Sequence, residues 1–159
     1  MKQLIFDLDD TILMSDTYVD YNDINFNHTL FKLLNHIPNK KFLYTNGTYG
    51  HGHDSLKSLQ LLGMFQDIFA RDSLMCMKPS HLSFNLVNNL IIHNHNGYTD
   101  SDDFIFFDDL LENLFTAKKM GWETVWIHPQ CDENRKLFFI DYAYPDIESA
   151  LNDMKNKAF

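Results

Sequence analysis

Short runs of consecutive apolar residues alternate along this chain with longer stretches in which apolar positions recur every three or four residues. Residues 4–6 (LIF), 40–44 (KKFLY), 68–70 (IFA), 103–107 (DFIFF) and 124–127 (TVWI) are of the first kind. They are too short for helices, and several are apolar at successive positions, which predicts strands buried on both faces. Residues 27–37, 55–64, 82–92 and 110–120 are of the second kind, and a helix is predicted over each. The first has its apolar residues at 30, 31, 33, 34 and 37 and is stopped by Pro38-Asn39; the second has Gly63 near its end. Residues 138–140 (FFI) are predicted as a sixth, edge strand, and 146–154 as a last helix with Asp146 at its N-cap. Residues 14–25 are polar and aromatic without helical period and read as a loop or small hairpin; 93–102 read as a polar surface loop. Strand and helix alternate throughout, which predicts an α/β fold: a parallel sheet with helices on both faces.

A chain of 159 residues supports one domain, spanning 1–159, with a single adequate core. Its 45% hydrophobic and 22% charged residues are ordinary for a soluble globular protein. No run approaches the roughly 18 apolar residues of a membrane span, so no membrane partner is expected. The N-terminus runs directly into the first strand, without the basic and apolar segments of a leader. Cys76 and Cys131 lie far apart and read as two reduced thiols of a cytoplasmic protein. The net charge of −9 argues against a long nucleic acid as partner, since that would need clustered Lys and Arg.

The chemistry gathers where predicted strands end. The first stops in Asp7-Leu8-Asp9-Asp10-Thr11. Carboxylates crowded at the end of a core strand repel one another and lose hydration. An acidic turn is the plain explanation; a hard divalent cation, Mg²⁺, is the chemical one. The second strand ends in Thr45-Asn46-Gly47-Thr48, and the fourth in Asp108-Asp109 followed by Leu110-Leu111-Glu112-Asn113. Lys78 stands just ahead of a helix start, with Pro79 at a first-turn position. In open parallel sheets, ligands bind where the carboxyl ends of strands converge.

Taken together, FDLDDT (6–11), YTNGT (44–48), MKPS (77–80) and FFDDLLEN (106–113) resemble, in order, the four motifs of the haloacid dehalogenase-like (HAD) hydrolases, most of which are Mg²⁺-dependent phosphatases. The likeness continues through residues 117–125 and so covers most of the chain. It implies a Rossmann-like α/β domain in which Asp7 attacks phosphorus to form an aspartyl-phosphate and Asp9 acts as general acid and base. It further implies that Thr45 and the Asn46 backbone bind phosphoryl oxygens, while Lys78 neutralises their charge and holds the nucleophile. Mg²⁺ would be held by Asp7, the Asp9 carbonyl, Asp108 and Asp109, with Asp109 favoured over Asp108 as direct ligand. Thr11 would help fix the loop, Asp10 would be structural, and Asn113 would orient the acidic loop. Relatives insert a cap domain between the first two motifs or between the second and third. Residues 11–45 and 47–78 have room only for single small elements, so an open, capless site is expected. The stretch YTNGTYGHGHDSLKSLQLLGM and its spacing to MCMKPS resemble the pyrimidine 5′-nucleotidase-like group, which implies a nucleoside monophosphate such as UMP or CMP.

Tyr18, Tyr21, Gly47 and His51 are the candidates for substrate contacts, the alternative for His51 and His53 being a solvated loop leading into a helix. His93 and His95 lack a third ligand nearby, and Trp122 and Trp126 read as sheet-packing residues. Three readings of function stand side by side. The first is a phosphatase of a small phosphomonoester. The second is a capless phosphatase of a bulky or macromolecular substrate, with a homo-oligomer as an alternative cover for the open site. The third, a catalytically silent binding module, predicts loss of Asp7, Asp9, Lys78 or Asp109, and all four are present.

Overall fold

Strands that are apolar at successive positions need cover on both faces, and the topology supplies it. The computed structural model describes residues 2–14, 20–96 and 104–157. Within it β1 (Gln3–Phe6), β2 (Lys41–Thr45), β3 (Asp67–Ala70), β4 (Phe104–Asp108), β5 (Glu123–Ile127) and β6 (Tyr142–Tyr144) form one six-stranded sheet in the order β3-β2-β1-β4-β5-β6. Every neighbouring pair is parallel. The helices are α1 (His28–His36), α2 (Tyr49–Ser58), α3 (Arg71–Leu74), α4 (His81–Ile91), α5 (Leu111–Lys119), α6 (Cys131–Asn134) and α7 (Ile147–Lys157).

Side chains alternate along each strand, so the sheet sorts its residues between two cores. Leu4, Phe6, Leu43, Ile105, Phe107 and Val125 face α1, α2 and α7, which contribute Leu30, Leu34, Leu56, Ala150 and Leu151. Ile5, Phe42, Tyr44, Phe104, Phe106 and Trp126 face α4 and α5, which contribute Phe84, Val87, Ile91, Leu114 and Ala117. Trp122 is fully buried in the second layer. Its ring lies 5.3 Å from that of Phe84 and 5.4 Å from that of Phe104. At the foot of the sheet the buried Lys41 donates to the carbonyls of Ile37 and Asn39 at 2.6 and 2.9 Å, which serves the open end of α1.

Several elements depart from the sequence expectation. Helix α2 starts at Tyr49 and ends at Ser58, where 55–64 is predicted. Thr48 caps it, accepting from the His51 amide at 3.2 Å, and this cap outweighs the helix-weakening glycines that follow. One of them packs closely: a Cβ on Gly52 would lie 3.0 Å from Leu43 Cδ2 and 3.2 Å from Ile68 Cγ2, so a larger residue would make these side chains give way. Residues 62–64 form a separate 3-10 turn. The sixth strand runs over Tyr142–Tyr144 instead of 138–140, and Phe138 is 80% exposed. Asp141 explains the offset: it accepts from the Thr124 amide at 2.9 Å and from Lys118 at 2.6 Å, which pins the chain to the start of β5 and leaves the preceding residues in a turn. Asp146 accepts from the Ser149 amide, as expected of an N-cap. Pro79 precedes α4, which begins two residues later at His81, and so is not in its first turn. The predicted loop at 93–102 begins as a π-helical turn, Ile92–Asn96, and the predicted loop at 14–25 contains a 3-10 turn, Tyr21–Asp23; Tyr18 lies outside the described residues.

Among the described residues, only a 3-10 turn and α1 lie between Thr11 and the start of β2 at Lys41. Between Gly47 and Lys78 lie α2, a 3-10 turn, β3 and α3. Neither interval holds a separate lobe among the described residues. No helix among the described residues is long and apolar enough to cross a membrane. The strand order reverses between β1 and β4, which opens a crevice at their carboxyl ends.

Trp122→Ala is expected to lower the unfolding free energy by about 3–5 kcal/mol in urea titrations, through lost apolar contacts and the cavity left behind. A loss below about 1 kcal/mol would show that the α4/α5 layer is not close-packed around this ring.

Candidate active site

The crevice is built by register. Phe6 of β1 lies opposite Phe107 of β4, so Asp7 and Asp108, each one residue further on, emerge side by side. The Asp7 amide continues the ladder, donating to the Phe107 carbonyl at 2.9 Å. Thr45 ends β2 on the other side of β1. Lys78 enters from the loop ahead of α4, its ammonium buried, and donates to Asp7 Oδ1 at 2.7 Å, Asp108 Oδ2 at 2.7 Å and the Tyr44 carbonyl at 2.9 Å. These bonds use all three of its protons. The ammonium also lies over the rings of Tyr44 and Phe106, 5.1 and 5.3 Å from their centroids.

The two acidic residues after β4 differ in what remains to them. Asp108 is fully buried, with Oδ1 accepting from the Leu110 amide at 2.8 Å and both oxygens accepting from Asn113 Nδ2 at 3.0 Å. With Lys78 added, its lone pairs are largely occupied. The Asp109 carboxylate is half-buried and meets no donor from another of the described residues, while its carbonyl is anchored by Trp126 Nε1 at 2.8 Å. Trp126 packs on the sheet as predicted, but this hold on the acidic loop has no signal in the sequence. Asn113 supports the acidic loop as the sequence suggests.

Oxygen atoms of Asp7, Asp108 and Asp109 come within 4.8 Å of one another. Burial is the main force lifting the Asp7 pKa to about 7, opposed by Lys78 and assisted by Asp108 and Asp109. Burial, then Asp108, lifts Asp109 to about 6. Burial also works against the Lys78 ammonium, but Asp108 and Asp7 outweigh it and hold its pKa above the usual lysine value. One ammonium therefore faces three carboxylates, and the cluster is short of positive charge. The buried Asn113 Oδ1 has no hydrogen-bond donor among the described residues. An all-oxygen donor set, a deficit of positive charge and an orphaned acceptor beside it together fit a hard, hydrated divalent cation.

The turn after β1 returns Asp9 to the crevice. The Leu8 carbonyl receives the amides of Thr11, Ile12 and Leu13 at 3.2, 2.9 and 2.9 Å, and Asp10 adopts φ 60° in the left-handed region. The Asp9 carboxylate stands apart from the cluster of three and meets His51 Nε2 at 2.9 and 3.1 Å. Tyr21 Oη lies 2.8 Å from His51 Nδ1. Tyr21 thus touches His51 and His51 touches Asp9, which sequence spacing cannot reveal because 30 residues separate the first pair and 42 the second. The only local signal is Thr48: as N-cap it places His51 in the first turn of α2 and not in a solvated loop.

Asn46 is a clamp. Its Oδ1 accepts from the Lys78 amide at 2.8 Å and its Nδ2 donates to the Lys78 carbonyl at 3.0 Å. Its side chain is therefore oriented by the Lys78 backbone, with one Nδ2 proton to spare, and its backbone amide is also open to a ligand. Thr45 Oγ1 accepts from the Gly47 amide at 2.9 Å, which leaves its hydroxyl proton to donate. Asp7, Asp9, Thr45, Lys78, Asp109 and Asn113 line an open cleft of about 220 Å³, and Gly47 forms part of its wall. A larger groove of about 620 Å³ runs along β6 and α7, but Asp141 and Asp153 there are engaged by Lys118 and Tyr144. His95 contacts Asp67 at 3.3 Å, and His53 contacts Asp54 at 3.0 Å. Neither joins a metal-holding cluster among the described residues.

No family model matches the chain, and no curated protein matches it. Solved structures do. A HAD phosphatase from Thermococcus onnurineus aligns over 97% of this chain and 98% of its own, at 17% identity and a TM-score of 0.68. The HAD-hydrolase YfnB from Bacillus subtilis, in a magnesium-bound form, aligns over 78% of this chain at 20% identity and a TM-score of 0.65. The L-2-haloacid dehalogenase from Xanthobacter autotrophicus aligns over 87% at 17% identity and a TM-score of 0.66. The chain spans 54% of YfnB's length and 64% of the dehalogenase's. At these identities the likeness establishes architecture: this chain has the fold of the haloacid dehalogenase-like hydrolases.

Proposed function

We propose that this protein is a HAD-type phosphatase that hydrolyses a phosphomonoester through an aspartyl-phosphate on Asp7. The observation that carries this reading is Asp7 held by a buried Lys78 in the strand-order crevice, beside Asp109 and with Asp9 two residues on. A carboxylate is a competent nucleophile without a base once a cation keeps it ionised. Lys78 engages Oδ1 of Asp7, which leaves Oδ2 to attack phosphorus. The bond from Oδ2 to phosphorus forms as the ester bond breaks, and Asp9 delivers a proton to the leaving oxygen. Asp9 then takes a proton from the water that attacks phosphorus, breaking the Asp7–phosphorus bond and releasing inorganic phosphate. The Thr45 hydroxyl and the Asn46 backbone amide donate to phosphoryl oxygens, where charge spreads in the transition state.

The cation fitting this site is Mg²⁺, as in YfnB. Asp7, Asp109 and the Asp9 carbonyl would hold it, with Asp108 contributing buried charge, and it would neutralise the incoming phosphate. The substrate that suits the cleft is a small phosphomonoester. The nucleotidase-like motif makes UMP and CMP the first to try. Met75 and Met77, 86% and 49% exposed, and Leu110, 45% exposed, flank two of the loops that build the cleft. Exposed apolar side chains on these loops, with Leu110 in the cleft lining itself, favour, as second reading, a bulky phosphorylated substrate or a second copy covering the site. The free thiols of Cys76 and Cys131 suit a cytoplasmic setting.

Phosphate release from p-nitrophenyl phosphate and a nucleoside-monophosphate panel is expected to require Mg²⁺ and to stop in EDTA. Asp7→Asn should lower turnover by roughly three orders of magnitude or more. Folded, Mg²⁺-supplied protein that turns over no ester would overturn the phosphatase reading.

The cation also predicts a pH effect. With Asp7 near 7 and Asp109 near 6, both above the ordinary value of 3.8, the cation-free fold binds more protons than the unfolded chain between about pH 4 and pH 7. Their contribution to stability therefore declines as pH rises through that window. Mg²⁺ should raise the melting temperature more at pH 7.5 than at pH 5, where it must displace protons. Equal increments at the two pH values would remove Asp7 and Asp109 from the ion site.

A further inference from the structure

Asp9 is the proposed acid and base, yet its side chain is 38% exposed and stands on a turn whose next residue is left-handed. An exposed carboxylate of this kind samples several rotamers unless something holds it. The donor that meets it is His51. When Asp9 is ionised, Nε2, within reach of both carboxylate oxygens, carries the proton and donates, and Nδ1 accepts from the Tyr21 hydroxyl. The ring is also held from the side, since a Cβ on Gly47 would fall 2.8 Å from His51 Cδ2. Thr48 fixes the turn of α2 that carries it.

We propose that His51, oriented by Tyr21 and seated against Gly47, is a positioning residue that aims the Asp9 carboxyl at the leaving-group oxygen. This rests on the phosphatase reading and adds to it a group outside the four motif cores. It makes no bond to the substrate and adds no step. Its effect is that Asp9 is already within reach when the ester bond breaks, which general-acid catalysis requires.

The consequence is selective. Protonation matters greatly when the leaving oxygen is a basic alkoxide and little when it is a stable phenolate. The test compares kcat/KM, which reports transfer to Asp7 alone, for p-nitrophenyl phosphate and an alkyl phosphomonoester in Mg²⁺. His51→Ala is expected to lower kcat/KM for the alkyl ester by about 100-fold and for the nitrophenyl ester by less than about 5-fold. His51→Gln, whose amide N–H can stand near the place of Nε2, should recover part of the loss on the alkyl ester. Tyr21→Phe should show the same selectivity with a smaller amplitude. Equal losses on both esters in the correctly folded Gln and Phe variants would overturn the positioning role while leaving the phosphatase reading intact. A wild-type protein inactive on both esters would overturn the phosphatase reading, and this proposal with it.

Discussion

One buried ammonium holds the carboxyl end of the sheet together. Lys78 bridges the residue that follows β1 and the residue that ends β4, and its third proton reaches the last carbonyl but one of β2. Buried charge of this kind is weak evidence for stability, because desolvation offsets much of the attraction. Its value lies in geometry. Two carboxylates that would repel are fixed about one cation, and the second oxygen of Asp7 is left facing the cleft. The rings of Tyr44 and Phe106 beneath the ammonium, and the Asn46 clamp on its backbone, make Lys78 the point where three strand ends meet.

The surrounding shell supports the same arrangement from outside. Asn113 and the Leu110 amide hold Asp108, Trp126 holds the Asp109 backbone, and His51 holds Asp9. None of these needs a cap domain, so the site is preorganised on the sheet itself. The cleft that results is polar apart from Leu110, whose partly exposed side chain is the apolar part of its lining.

Much of this was legible in the chain because its causes are local. A strand buried on both faces must be apolar at successive positions, and β1, β2, β4 and β5 declare themselves that way. Carboxylates, a Thr-Asn pair and a lysine at strand and helix ends are visible wherever strands are. The failures have other causes. Helix α2 owes its start to a side-chain cap and to a glycine that fits against the sheet, neither of which contributes to apolar periodicity. Strand β6 is placed by Asp141 reaching back to Thr124, while the more apolar 138–140 run lies in a turn. The approach of Tyr21 and His51 to Asp9, and of Trp126 to Asp109, depends on tertiary distance that spacing does not encode.

The Asn46 clamp has a further consequence, for the protein's ageing. Asn followed by Gly is the dipeptide most open to deamidation, since an unhindered glycine amide can close onto the side-chain carbonyl carbon and expel ammonia. Here the Gly47 amide is turned to Thr45 Oγ1, and both ends of the Asn46 amide are held by the Lys78 backbone. The reacting atoms are kept on separate partners. Were the reaction to occur, a carboxylate would face the Lys78 carbonyl where a donor had been, and the loop carrying the lysine would lose its anchor. The bonds that shape the site therefore also shield one of the chain's two Asn-Gly dipeptides, and local opening of this loop would set the rate at which that one is lost.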